Sequence, residues 1–174
     1  DERAWTIYHK RMQMSKYSRA QIILHWTIFI LIATQFVFHD TIVATFDAML
    51  SGKPMLTNHP LVSAHLGVGG VIGILTALRL WIRMETGIPE KSGNYPPFFD
   101  YLANFVHYSF YALLILLPIT GGFAWYQRSE DAANAHTLLR AILLILVLVH
   151  ICGALLQVFV WRNNVLKRMW RINN

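Results

Sequence analysis

The sequence holds a single cysteine, Cys152, among 174 residues. No intramolecular disulfide can form, so a disulfide scaffold and thiol-pair redox chemistry are both excluded. Cys152 itself falls in an apolar run and reads as a small buried hydrophobe. Charge is scarce as well: 14% of residues are Asp, Glu, Lys or Arg and 55% are hydrophobic, where a soluble domain carries about a quarter charged. With a mean hydropathy of +0.41, this is the balance of an integral membrane protein and excludes a soluble enzyme. Alternating segments of about ten residues, the mark of a transmembrane barrel, are missing. So are internal repeats, low-complexity tracts and a separate soluble domain. The net charge is +6 and the pI near 9.7. The basic residues stand in the connections between apolar runs and not along one exposed face, which argues against nucleic acid as a partner.

What the chain does have is four apolar blocks, about Ala20 to Phe38, Leu61 to Ile82, Leu102 to Tyr126 and Thr137 to Trp161. Each is long enough to cross about 30 Å of hydrocarbon as a helix. The expected fold is all-α, a four-transmembrane-helix bundle over residues 20–161 in the lipid bilayer, between a segment at 1–19 and a basic tail at 162–174. Helix-stopping residues fill the connections: Gly52-Lys53-Pro54 and Asn58-His59-Pro60, then Pro89, Gly93 and Pro96-Pro97, then a polar turn from Gln127 to Ala135.

Lys and Arg set the orientation. Arg3, Lys10, Arg11, Lys16, Arg19, Arg79, Arg83, Lys91, Arg162, Lys167, Arg168 and Arg171 fall on one side, against Lys53, Arg128 and Arg140 on the other. Both termini and the middle connection are therefore expected in the cytoplasm. The first apolar run begins too late and is too long for a cleavable signal peptide. Met14-Ser15-Lys16 offers a native start, with residues 1–13 then an extension.

The chemistry rests on histidine, because an imidazole inside a membrane helix is costly and needs a function or a firm partner. His25, His65, His107, His136 and His150 fall in the spans, while His9, His39 and His59 read as solvated or interfacial. From His136 to His150 is fourteen residues, which advances about 21 Å and turns within roughly 40° of four full revolutions. Both rings therefore point from one helix face. His65 lies near the outer end of its span, level with His136, and His25 lies near the inner end of its own, on the side of His150. Facing helices with imidazoles at matching depths can hold haem iron between two histidines, and the geometry permits two haems, stacked outer and inner. His107, near the depth of His25, can replace either inner member, support the inner pocket, or simply make a helix contact. Both haems would be non-covalent, since no Cys-x-x-Cys-His is present. A zinc-like site is disfavoured because the carboxylates lie in loops or at their edges and no second cysteine exists.

Gly67, Gly69, Gly70 and Gly73 after His65, and Gly121-Gly122 after Pro118, serve either small-residue helix packing or porphyrin clearance. Arg79, Arg83 and Arg140 are candidate partners of haem propionates, as arginine binds carboxylate through parallel donors; Arg83 also suits a cytoplasmic anchor, and Arg140 can snorkel to the outer surface. Trp26, Trp81, Trp125 and Trp161 read as an interfacial belt.

Lys16-Tyr17-Ser18-Arg19 with Leu24-His25-Trp26, His65-Leu66-Gly67, Leu78-Arg79-Leu80 with Arg83, Leu117-Pro118-Ile119-Thr120-Gly121, His136 with His150, and the closing Trp161 to Met169 resemble the bacterial cytochrome b561 family. The resemblance covers nearly the whole chain, about Lys16 to Met169. It implies a di-haem electron-transfer protein of the bacterial inner membrane, with haem b held by His25 and His150 and by His65 and His136. It also implies exchange with a quinone, ubiquinone among them, and with an outer-side redox partner. His107 then takes a supporting role at the inner pocket. The wider group includes cytochrome b subunits of formate dehydrogenases and nickel-iron hydrogenases. A second reading is therefore a haem-bearing anchor serving a partner dehydrogenase or periplasmic cytochrome, with a homodimer a further option. The outer connection before the fourth span is short, Asn163-Asn164 replaces Asp-Asn, and Gln157 stands where small relatives carry histidine. These departures put quinone or superoxide oxidoreductase activity at the inner haem in question.

Overall fold

The computed structural model describes residues 17–54, 59–87, 96–163 and 165–170. The expectations for residues 1–16, Asn58, Pro89, Lys91, Gly93, Asn164 and Arg171 lie outside the described residues. Among the described residues six helices follow in order: α1 Arg19–Val37, α2 Asp40–Leu50, α3 Pro60–Thr86, α4 Phe98–Gln127, α5 Glu130–Phe159 and α6 Val165–Trp170. No strand occurs among the described residues. Four of these helices (α1, α3, α4 and α5) are long and apolar enough to span a membrane, as the four apolar blocks predict.

Local chemistry fixes where the helices begin. Ser18 caps α1 through a reciprocal pair: its hydroxyl accepts from the Gln21 N–H at 3.2 Å, and the Gln21 side chain accepts from the Ser18 N–H at 3.0 Å. The Gln21 amide also donates to Thr86 Oγ1 at 3.0 Å and to the Gly87 carbonyl at 3.1 Å. These bonds lock α1 and α3 together one turn from His25, at the end of the bundle that the expected orientation makes the inner one. His59 accepts from the Leu61 N–H and Pro60 opens α3, where its missing N–H costs nothing. Between α4 and α5 only Arg128 and Ser129 intervene, Arg128 in the left-handed conformation that closes α4 and Ser129 capping α5. A two-residue turn forces antiparallel neighbours.

α1 packs on α3, α3 on α4 and α4 on α5, whereas α1 and α5 approach each other far less. A gap is thus left along the side where α5 faces α1 and α3. The core sits at mid-depth: Ile28, Ile72, Leu113, Leu114 and Leu143 form its buried cluster, and Leu143 stands seven residues from both His136 and His150.

Four features depart from the sequence reading. α2 occupies what reads as a loop; its inward side carries Ile42, Thr45, Phe46 and Met49 at helical spacing. α5 begins at Glu130, inside the expected polar turn, because Ser129 caps it and Glu130 and Asp131 suit the positive end of the helix dipole. Cys152 is exposed, not buried: two residues past His150, it turns to the outside of the bundle, where lipid accepts an apolar side chain as readily as a core does. Trp26 and Trp161 are more than belt residues. The Trp26 indole donates to the Met169 carbonyl at 2.9 Å and meets Trp170 edge-on, holding α6 under the bundle, while Trp161 meets Phe99 edge-on as well.

Candidate functional site

Each long helix brings its histidine to the α5 side of the bundle, and the rings meet in two groups. In the outer half, His65 of α3 and His136 of α5 face each other with ring centres 6.5 Å apart. In the inner half, His25 of α1 and His150 of α5 stand 6.2 Å apart. All four are half-buried. His107 of α4 meets His150 edge-on at 5.3 Å, and Phe110 flanks the same ring at 5.5 Å.

These separations discriminate between partners. A metal bound by imidazole lies about 2 Å from each nitrogen, and each ring centre about 1 Å beyond, so two rings sharing one iron have centres roughly 6 Å apart. The His65–His136 and His25–His150 pairs fit that spacing. All three contacts are edge-on, at 60°, 65° and 76°, so it is the separation that sets His107–His150 apart: 5.3 Å is too short for two rings sharing one iron and is that of aromatic neighbours.

Around the outer pair opens a cavity of about 240 Å³, far beyond the water-sized voids of packed interiors. Gly69, Gly70, Gly121, Gly122, Leu66 and Leu117 supply much of its apolar wall, with Gln35, Tyr126 and Arg140 as polar points. The glycines divide by role. A Cβ on Gly73 would stand 3.2 Å from Pro118 Cγ, which makes this glycine a packing residue. Gly69, Gly70 and Gly122 have nothing within 4 Å of a Cβ position and leave open space beside His65 and His136. Gly121 lies directly against His136: a Cβ there would be 3.0 Å from Cε1 and 3.1 Å from Nδ1.

Arg79 sits in the inner half of α3. Its Nη1 donates to the Tyr111 hydroxyl at 3.3 Å and its guanidinium lies over the Tyr111 ring, while Arg83 lies over Tyr108 and Tyr111. Arg79 Nε is buried without a hydrogen-bond partner, as is Thr76 Oγ1 one turn away. A buried unpaired donor on a cation is costly and suits an anionic oxygen that a cofactor would bring. Arg140 lines the outer cavity one turn past His136. The residues present therefore fit haem at both levels, with paired imidazoles and one arginine each, and at the outer level a glycine-bared wall as well. Gln157 is half-buried, and its backbone carbonyl accepts from the Asn163 N–H at 2.8 Å.

Sequence reasoning missed the side-chain setting of this site. Gln35 donates to the His65 carbonyl at 3.3 Å, and His136 Nδ1 lies 3.0 Å from the Leu117 carbonyl and 3.3 Å from Thr120 Oγ1. The signal available was Pro118 followed by Thr120 and Gly121-Gly122, which indicates a bend but not what lies against it.

Two comparisons bear on this arrangement. The family described as prokaryotic cytochrome b561 matches residues 16–171. Cytochrome b562 of Cereibacter sphaeroides is 34% identical over 156 residues, 89% of this chain and 95% of that protein.

Proposed function

Because the chain belongs to the prokaryotic cytochrome b561 family, and so is a membrane-spanning b-type cytochrome of electron transfer that binds haem b, we propose that it holds two haems and conducts electrons across the bacterial inner membrane. Both termini face the cytoplasm in this reading, and electrons pass between the quinone pool and a redox partner at the outer face. The observation that carries it is the pair of ring separations, 6.5 Å for His65–His136 and 6.2 Å for His25–His150, reached by two histidines of the same helix.

His65 and His136 ligate the outer iron, and His25 and His150 the inner one. When bound, the haems supply one-electron chemistry that no side chain of this protein offers. The protein's residues do the rest. Arg140 and Arg79 each offer a guanidinium to propionate, and Arg79 Nε gains the partner it otherwise lacks. His107 and Phe110 fix the His150 ring from two sides. Leu143 and its apolar neighbours separate the two levels and keep water out of the path between them. A quinone approaches the inner haem near His150, with the Gln157 amide, two turns along α5, as a hydrogen-bond donor.

Quinol-driven haem reduction in liposomes tests this reading. The wild-type protein is expected to be reduced by a ubiquinol analogue, and Gln157→Leu several-fold more slowly. Unchanged kinetics in the variant would remove Gln157 from the site. Failure of every quinol to reduce the wild type would favour the membrane-anchor reading, in which a partner dehydrogenase or periplasmic cytochrome supplies the electrons.

A further inference from the structure

We infer that Thr120 and the Leu117 carbonyl of α4 set the redox balance of the outer haem by holding the ring proton of His136. The inference rests on the proposed ligation of iron by His136 and goes beyond it.

The geometry begins with Pro118. Pro118, inside α4, has no N–H to give to the carbonyl four residues back, and Thr120 lies half a turn further on. Its hydroxyl is within 2.9 Å of the Leu116 carbonyl and 3.1 Å of the Leu117 carbonyl. The hydroxyl has one proton, which goes to a carbonyl of its own helix, so the oxygen offers a lone pair to His136 Nδ1 at 3.3 Å. The Leu117 carbonyl, 3.0 Å from the same nitrogen, can only accept. Nδ1 must therefore carry the proton, shared between two acceptors, and the lone pair of Nε2 is left for the iron. Gly121 makes the approach possible, since any Cβ would meet the ring at 3.0 Å. Ring orientation and tautomer are thus both fixed by one short stretch of α4.

Hydrogen bonding at the far nitrogen draws the proton partly off the imidazole and makes it a stronger donor to the metal. A stronger donor favours Fe(III) over Fe(II), so the outer haem takes up its electron less readily than it would without these acceptors. Among the described residues, no hydrogen bond holds the rings of His25 or His150, which makes the outer site the one tuned in this way. Thr120 is a positioning residue: it reaches the iron only through His136.

The test compares Thr120→Val, Thr120→Ala and Thr120→Ser with the wild type by spectroelectrochemical titration of the purified haem-loaded protein, using dithionite and mediators. The outer component is assigned as the one missing from His65→Ala. At a fixed ambient potential the Fe(II)/Fe(III) ratio of the outer haem is expected to rise about threefold in Thr120→Val and in Thr120→Ala, the effect of weakening one hydrogen bond. The inner haem stays unchanged, and Thr120→Ser retains the wild-type ratio. The low-spin EPR signal of the outer haem should shift with the first two variants and not with serine. Two low-spin haems that titrate like the wild type in both hydroxyl-free variants would overturn the role of Thr120 while leaving the ligation intact. Retention of both haems in His136→Ala would instead overturn the ligation on which it rests.

Discussion

Replacing His65 or His136 with alanine is expected to leave a protein with one low-spin haem per chain instead of two. The lost haem is the outer one, because each substitution removes one of the two imidazoles that face each other there, and apolar contact with a glycine-rich wall does not replace a ligating nitrogen. His25→Ala and His150→Ala should do the reverse. The four variants can be read by absorption and EPR spectra on protein purified in detergent, with helix content as the control for folding. The inner level has a stand-by: His107 already lies against His150. Retention of both low-spin signals in His25→Ala would move the inner ligand to His107, and retention in His65→Ala would sink the outer assignment.

A substitution that touches no histidine should be almost as severe. Gly121→Val adds a branched side chain where even a single Cβ would stand 3.0 Å from the His136 ring and 3.1 Å from its Nδ1. The ring has to swing off the Leu117 carbonyl and out of line with His65. The outer haem should be lost in most of the population and the inner one kept. Gly67→Val is the matched control: it lies on α3 two residues past His65, is exposed, has nothing within 4 Å of a Cβ position and does not line the outer cavity, and should keep both haems. Equal haem content in the two variants would show that the close approach of α4 to His136 does not hold the outer site.

The four long helices are legible in the sequence because each apolar run is long and its ends carry strong stop signals, and the family follows from motifs spread along most of the chain. α2 is not, since its eleven residues are too short and too mixed to stand out beside the spans, and its inward stripe reads as ordinary loop composition. Cys152 shows a different limit. In a soluble protein an apolar run implies burial, but the outer surface of a membrane bundle is itself apolar, so hydropathy does not say which way a side chain points. Depth is easier than facing: counting residues from the span ends puts His65 level with His136 and His25 level with His150, and in the structure these rings do face each other. What counting cannot supply is the lateral packing. That Gly73 packs on Pro118 while Gly70 borders open space, and that Thr120 turns towards His136, depends on how α4 lies against its neighbours.

In the proposed arrangement one chain holds two haems between two pairs of histidines. Haem stoichiometry measures it most directly: a pyridine haemochrome assay on purified protein, referred to protein concentration by amino-acid analysis, with the EPR spectrum of the oxidised sample recorded beside it. Two acid-extractable haems b per chain are expected, both six-coordinate and low-spin. One haem per chain, or a stoichiometric high-spin signal from an iron with a single axial ligand, would contradict it.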